Sequence, residues 1–181
     1  MLIARGKKTE NIVEYLLYMW QIEDLIRALN LNLDEIQRVI IDQYDQPEPV
    51  KQEIRDWYES LIDMMKTEQV EKGGHLQLNQ NVIIELEELH HLLLAAPKEQ
   101  FYGMNFHKIL PFIVELRAKS DNKSKGEIET CVNFMYGVLL LRLQKKSVSD
   151  ETQAASQQIG GFLRMLATKY KQDKETGIDF D

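Results

Sequence analysis

Apolar residues recur along this chain at intervals of three and four positions, which is the spacing of one face of an α-helix. One of the clearest series runs through Ile128, Cys131, Val132, Met135 and Val138. Strict alternation of apolar and polar residues, the mark of a half-buried strand, is nearly absent. The pattern therefore predicts an all-α protein with helices at residues 9–29, 33–43, 47–70, 80–95, 100–119, 126–146 and 149–169.

Capping patterns mark several of the predicted helix starts. Asn32 and Glu35 have the spacing of a capping box, and Ser124 and Glu127 repeat it. Pro111 stands inside the fifth predicted helix, where its ring conflicts with a carbonyl one turn earlier. We therefore expect a kink or a boundary at that position.

The first predicted helix is apolar nearly all round, as expected for a helix in the middle of a bundle or in a subunit interface. Glu23 and Arg27 fall inside its apolar side, four residues apart and in the favourable order for an ion pair. Two hypotheses follow. The pair forms the floor of a polar pocket, with Glu23 as base or ligand and Arg27 as anion anchor, or it is a structural pair at the core edge. The structural hypothesis is favoured, because structural ion pairs are common.

Length and composition fit one ordinary globular domain. The chain has 181 residues, of which 44% are hydrophobic and 28% charged, and a domain of this size buries about 70% of its unfolded surface. We predict a single-domain bundle of six to seven helices over residues 1–170, with the apolar N-terminal helix at its centre. Residues 171–181 are charged and are predicted to form a flexible tail.

Charge is distributed unevenly. Residues 1–100 hold 10 Lys and Arg against 19 Asp and Glu, a balance of -9, whereas residues 101–181 hold 12 against 10, a balance of +2. Complementary helix faces explain this difference, and the acidic net charge disfavours nucleic-acid binding. The basic cluster at Arg117, Lys119, Lys123 and Lys125 is interpreted as a solvated connection between helices. Its alternative is a site for an anion or an acidic partner.

The sequence also indicates the cellular compartment of the protein. The single cysteine, Cys131, cannot form an internal disulfide, which favours a reducing compartment. The basic N-terminus lacks the apolar core and cleavage site of a secretory signal. No window approaches 18 uninterrupted apolar residues, so no membrane span is predicted. We expect a soluble, cytoplasmic protein.

The candidate metal-ligating pattern is Glu-x-x-His, which occurs twice in overlapping register at residues 87–90 and 88–91. Carboxylate-bridged di-metal bundles use this spacing, but they need a second copy on another helix. Neither His75 nor His107 has a glutamate three residues earlier, so no metal site is predicted. His90 lies near the apolar face, and we expect a core-edge imidazole with one backbone or water partner. Glu85, Glu88 and His91 are expected on a solvated face.

Nucleophilic catalysis has little support in the sequence. Cys131 lies in an apolar helical series and is predicted to be a core residue. No nucleophile elbow, phosphate loop or dinucleotide fingerprint occurs. The pair Gly160-Gly161 inside the last predicted helix indicates close helix packing rather than phosphate binding.

The opening residues 1–28 resemble the start of an uncharacterised bacterial family known as a domain of unknown function. The most specific part of the resemblance runs from Glu14 through Tyr18, Met19 and Trp20 to Arg27, and the similarity extends over the full chain. The resemblance implies a helical protein. It supplies no activity, cofactor or catalytic residue.

Two functional hypotheses lead. The first is a non-catalytic interaction or scaffold protein, acting with a protein partner or as a homo-oligomer, because a complete catalytic set is missing beside an unusually apolar first helix. The second is a metal- or small-molecule-dependent enzyme or ligand-binding protein. Its pocket would lie between the first and fourth predicted helices and use Glu23, Arg27, Glu87 and His90. A third, nucleic-acid binding through residues 117–125, is disfavoured by the charge balance.

Overall fold

The computed structural model describes residues 2–119 and 125–180. Within these ranges the chain forms eight α-helices and two short 3-10 helices, Ile41–Gln43 and Pro97–Glu99, and no strand. The all-α prediction is confirmed, and the helix count exceeds the predicted six to seven. The α-helices are α1 (Leu2–Glu10), α2 (Ile12–Ala28), α3 (Leu33–Val39), α4 (Glu48–Thr67), α5 (Gln77–Ala95), α6 (Gln100–Lys119), α7 (Glu127–Leu143) and α8 (Asp150–Thr176).

The additional helix is α1, most of which lies before residue 9, where the first helix was predicted to begin. A break at Asn11 separates it from α2. The Asn11 side-chain oxygen accepts the Val13 N–H at 3.1 Å. A short polar side chain that binds an amide two residues on competes with helix continuation and starts a new helix instead. α2 buries nine of its 17 residues, which agrees with a helix that is apolar nearly all round.

The two predicted capping boxes and the predicted kink or boundary at Pro111 can each be compared with the structure. Asn32 caps α3 by accepting the N–H groups of Asp34 and Glu35, as predicted. Ser124 lies outside the described residues, and the residue at the N-cap of α7 is Gly126. α6 continues through Pro111, so the alternative of a helix boundary there is wrong.

α8 extends seven residues beyond its predicted end and stops at Gly177, whose φ of 76° suits glycine. Lys174 pairs with Glu85 at 2.9 Å, and Lys171 lies 3.8 Å from Glu175 on the same helix face. These charged contacts support a last stretch that apolar spacing alone did not indicate. The division into a domain at 1–170 and a tail at 171–181 stays a prediction.

The chain divides into two compact units, which are described in turn. The first comprises Glu14–Asn81 with the N-terminal residues up to Thr9, and the second comprises the chain from Val82 onward with Glu10–Val13. In the first unit, α3, the 3-10 helix after it and α4 pack together. Its fully buried large side chains include Leu16, Met19, Trp20, Ile26, Ile36, Ile41, Tyr58, Leu61, Met65 and Leu76.

In the second unit, α6, α7 and α8 pack on one another. Its core is formed mainly by Val82, Leu86, Leu93, Tyr102, Ile109, Ile113, Ile128, Val132, Ile159, Leu163 and Leu166. Among the described residues, no helix combines the length and the apolarity that a membrane span requires.

Candidate functional site

Glu23 is a fully buried carboxylate in the first unit. Its Oε1 accepts hydrogen bonds from the Leu76 N–H at 3.0 Å and from the Asn79 side-chain amide at 2.7 Å. Its Oε2 lies 2.7 Å from His75 Nδ1. Both carboxylate oxygens are therefore engaged, as burial of a charged group requires.

Arg27 ties a loop of the first unit to α2. Its Nε and Nη2 donate to the Val70 carbonyl at 3.2 and 3.0 Å, and Nη2 also donates to the Gly74 carbonyl at 2.5 Å. Nη1 donates to Asp24 at 2.8 Å, while Glu23 Oε2 lies 3.9 Å from Nη2. The N–H groups of the planar guanidinium thus donate to acceptors of the chain itself, as expected for an arginine with a structural role.

Sequence reasoning missed the partners of Glu23. His75 stacks on Trp20, with ring centroids 4.0 Å apart and planes inclined by 15°, and Asn79 is fully buried inside α5. They lie 52 and 56 residues from Glu23 along the chain. The one available signal was the position of Glu23 on an apolar face, which calls for donors without identifying them.

Glu87 is the corresponding carboxylate of the second unit, and it caps α7 from outside that helix. Its Oε1 accepts the N–H groups of Ile128 at 2.8 Å and Glu129 at 3.0 Å. The N-cap residue Gly126 provides no side chain, and a Cβ atom there would overlap the Glu87 carboxylate. The Oε2 atom is buried and has no hydrogen-bond partner among the described residues. Burial raises the pKa of Glu87, an effect that the two backbone hydrogen bonds oppose.

Glu87 lies beside two further ligand-type side chains, His91 of α5 and Glu127 of α7. Each of the three residues offers one donor atom, and these atoms all lie within 4.8 Å of one another. His91 is 66% exposed, as expected for the solvated face. The Glu-x-x-His pattern missed this group, because Glu87 and His91 are four residues apart and the third member comes from another helix.

His90 is buried in an aromatic cluster of the second unit. Its Nδ1 lies 2.7 Å from the Tyr102 hydroxyl, and its ring packs edge-on against Phe106 at 4.6 Å and Phe162 at 5.9 Å. Burial lowers the pKa of His90 to about 4, so the imidazole is neutral near neutral pH. A single partner was predicted, but that partner is a tyrosine side chain rather than backbone or water.

A groove lies between α6 and α8 in the second unit. Its volume is about 490 Å³, and its walls include Phe101 and Asn105 from α6 and Arg164 and Met165 from α8. Gly161 also lines it, and a Cβ atom at that position would meet nothing within 4 Å. The chain therefore leaves room here for a larger side chain or for an outside group.

A family model described as Domain of unknown function (DUF4924) matches residues 1–177. The chain belongs to this family. The resemblance noted at residues 1–28 is thereby confirmed over nearly the whole chain. No curated protein and no solved structure matches it.

The sequence-predicted site residues of this DUF4924 chain fall in both units. Glu23 and Arg27 belong to the first unit, and Glu87 and His90 belong to the second. The four-residue pocket stays a prediction. Cys131 is buried, as predicted, and burial raises the pKa of its thiol to about 12.

Two further predictions about this DUF4924 chain are modified by the structure. Gly160 faces Met135, whose Cε would lie 3.4 Å from an added Cβ, whereas Gly161 opens onto the groove. Only the first glycine therefore fits the expected close helix packing. In the basic cluster, Lys123 lies outside the described residues, while Arg117 donates to the Lys125 carbonyl.

Proposed function

We propose that this DUF4924 chain is a non-catalytic interaction protein whose second unit binds an amphipathic helix with an acidic flank. The observation that carries the proposal is the groove between α6 and α8. At its end on α6, Phe101 is 67% exposed, which makes it available as an aromatic anchor. A cytoplasmic location and a bacterial origin belong to the proposal, supported by the single cysteine and by the sequence resemblance.

The groove has the length of a short helical segment. Its walls run from Phe101 to Ile109 on α6 and from Gln157 to Thr168 on α8. At about 1.5 Å per residue these stretches are roughly 12 and 17 Å long, which corresponds to about two to three turns of a docked helix. A helix that docks in such a groove contributes apolar side chains one turn apart.

The chemistry of the walls favours an acidic partner. Phe101, Ile109 and Met165 provide apolar surface, and Asn105 provides an amide at the rim. Arg164 is the charged residue among the groove-lining residues, and it is exposed. A partner helix with carboxylates on one flank would complement this charge and be oriented by it.

A pair of glycine substitutions tests the proposal with a matched control. Gly161→Leu places a side chain in the groove, whereas Gly137→Leu adds the same side chain to α7, where a Cβ also meets nothing within 4 Å. The probe is a fluorescent designed helix with leucines one turn apart and glutamates on one flank. Gly161→Leu is expected to weaken its binding by about tenfold or more, while Gly137→Leu leaves binding unchanged.

A charge reversal extends this test. Arg164→Glu is expected to shift the preference from the glutamate-flanked helix to an otherwise identical lysine-flanked helix. Equal affinities of wild type, Gly161→Leu and Gly137→Leu in anisotropy titrations would show that the helix does not bind in the groove. Absence of binding to either designed helix would count against the proposed partner class.

A ligand-binding or enzymatic function that uses Glu23, Arg27, Glu87 and His90 is the second candidate. The specific observation in its favour is that Glu87 Oε2 and His90 Nε2 are buried without a hydrogen-bond partner among the described residues. Native mass spectrometry of gently purified chain tests it, because one spectrum reports retained mass and stoichiometry. A bound mass that disappears in His90→Ala or Glu23→Gln would favour this candidate, whereas a chain or homo-oligomer without such a mass would favour the interaction protein.

A further inference from the structure

We propose that Glu87, His91 and Glu127 in the second unit bind one divalent transition-metal ion, with Zn²⁺ the best match to the ligand set. This site is separate from the groove between α6 and α8, and it goes beyond the proposed interaction function. Its donor atoms lie within 4.8 Å of one another. One imidazole and two carboxylates come together from two helices, α5 and α7.

The ligand types favour a transition metal over calcium or magnesium. Imidazole nitrogen suits Zn²⁺ and its neighbours, whereas Ca²⁺ and Mg²⁺ take oxygen ligands. Bonds of about 2.1 Å in a tetrahedral site place the donor atoms about 3.4 Å apart. Metal binding therefore requires the present separations to shorten, and the side chains that would rotate are His91 and Glu127, which are 66% and 27% exposed.

Glu87 supplies an independent indication of a cation. Its Oε2 is buried and has no hydrogen-bond partner among the described residues, a costly state for a carboxylate oxygen. Its Oε1 is held by the N–H groups of Ile128 and Glu129. The carboxylate is thus fixed in place by one oxygen while the other remains free for a metal, and such outer hydrogen bonds orient a ligand.

Two nearby positive groups limit the affinity of the site. Arg117 Nη1 lies 3.3 Å from Glu127 Oε1, and the N-terminus of α7 carries a partial positive charge beside Glu87. His91 Nε2 approaches the other oxygen of Glu127, Oε2, at 4.0 Å. Metal and Arg117 can therefore use different oxygens of Glu127. Three protein ligands leave a fourth position for water or an outside group.

Calorimetric titration of ZnCl₂ into chelator-treated full chain tests the inference. His91→Ala and Glu127→Gln change partly exposed side chains and are expected to leave the fold intact. Each should weaken Zn²⁺ binding by about tenfold or more, because each removes a ligand. His107→Ala is the matched control, since His107 is an exposed histidine outside the cluster, and its affinity should equal that of wild type.

Substitution by Co²⁺ gives a second readout. The visible absorption of bound Co²⁺ should be present in wild type and His107→Ala and lost in His91→Ala. Excess Ca²⁺ should not displace Zn²⁺. Failure of wild type to bind one Zn²⁺ per chain, equal weakening by His91→Ala and His107→Ala, or displacement by Ca²⁺ would each overturn the proposal.

Discussion

Two glutamates with buried carboxylate oxygens, Glu23 in the first unit and Glu87 in the second, satisfy these oxygens in different ways. Glu23 engages both oxygens, through Leu76 and Asn79 on one side and His75 on the other. Glu87 engages Oε1 at the start of α7, while its buried Oε2 has no partner among the described residues. The first carboxylate is complete within the protein, and the second has capacity for a ligand.

This difference between the two carboxylates indicates which of them could bind an outside ligand. A carboxylate with both oxygens engaged, such as that of Glu23, stabilises a fold, and an outside ligand would have to break hydrogen bonds to reach it. The second unit contains the incomplete carboxylate as well as the groove. Both proposed binding functions accordingly involve the second unit, and the contacts of Glu23 are those of a structural carboxylate.

The largest effect is expected for Glu23→Ala. Removing this carboxylate leaves the Asn79 amide and the Leu76 N–H buried without an acceptor and should lower the free energy of unfolding by about 3–5 kcal/mol. Urea denaturation measures this loss. Glu59→Ala, at an exposed glutamate of α4, is the control and should be near neutral. A loss for Glu23→Ala as small as that of Glu59→Ala would break the comparison.

An intermediate effect is expected for Arg27→Met, which retains much of the side-chain volume but removes the donors to Val70 and Gly74. The loss should be about 2 kcal/mol, the usual range for hydrogen bonds of a charged group. Freed from Arg27, the loop should also be cut faster by trypsin at the exposed Lys72. An unchanged cleavage rate would show that other contacts hold this loop.

A smaller loss is expected for Glu87→Ala. The helix cap of α7 is lost, which costs about 1 kcal/mol, but the unpartnered buried oxygen is removed with it. Glu88→Ala at the exposed neighbouring position is the control. If urea denaturation shows Glu87→Ala to be as damaging as Glu23→Ala, the two carboxylates are equally structural.

The smallest effect concerns Cys131, which is buried near Glu87. Burial, reinforced by the Glu87 charge, raises its pKa to about 12, so the folded chain should resist iodoacetamide at mildly alkaline pH. Because the pKa of this thiol is raised in the folded chain, the thiol lowers the free energy of unfolding once the pH rises above the ordinary pKa of cysteine. Glu87→Gln should remain unreactive, since burial dominates the shift. Rapid labelling without urea would mean that the core around Glu87 is open.

Local signals in the sequence predicted most of the fold. The three-and-four spacing identified the helices, and Asn32 marked the start of α3, because both depend on residues within one or two turns. The break at Asn11 was missed, since the helical pattern runs on across it. Gly161 was recognised as unusual, but its role required knowing that α6 lies beside α8.

The candidate site was only partly predictable. The sequence singled out Glu23 by its position on an apolar helix face, where a carboxylate needs partners, and Glu87 by its spacing from His90. Those partners are His75 for Glu23 and the amides of α7 for Glu87, each about 40 to 50 residues away in sequence. Helical periodicity carries no information on such pairings, and the proposed metal site depends on the same long-range placement of Glu127.

The most direct test of the account is zinc calorimetry on two matched variants, Glu23→Gln and Glu87→Gln. Each replaces one carboxylate by its amide in a different unit. The account predicts that Glu23→Gln binds Zn²⁺ as wild type does, whereas Glu87→Gln binds it at least about tenfold more weakly. Unchanged affinity in Glu87→Gln, or an equal loss in folded Glu23→Gln, would contradict the assignment of the open carboxylate to Glu87.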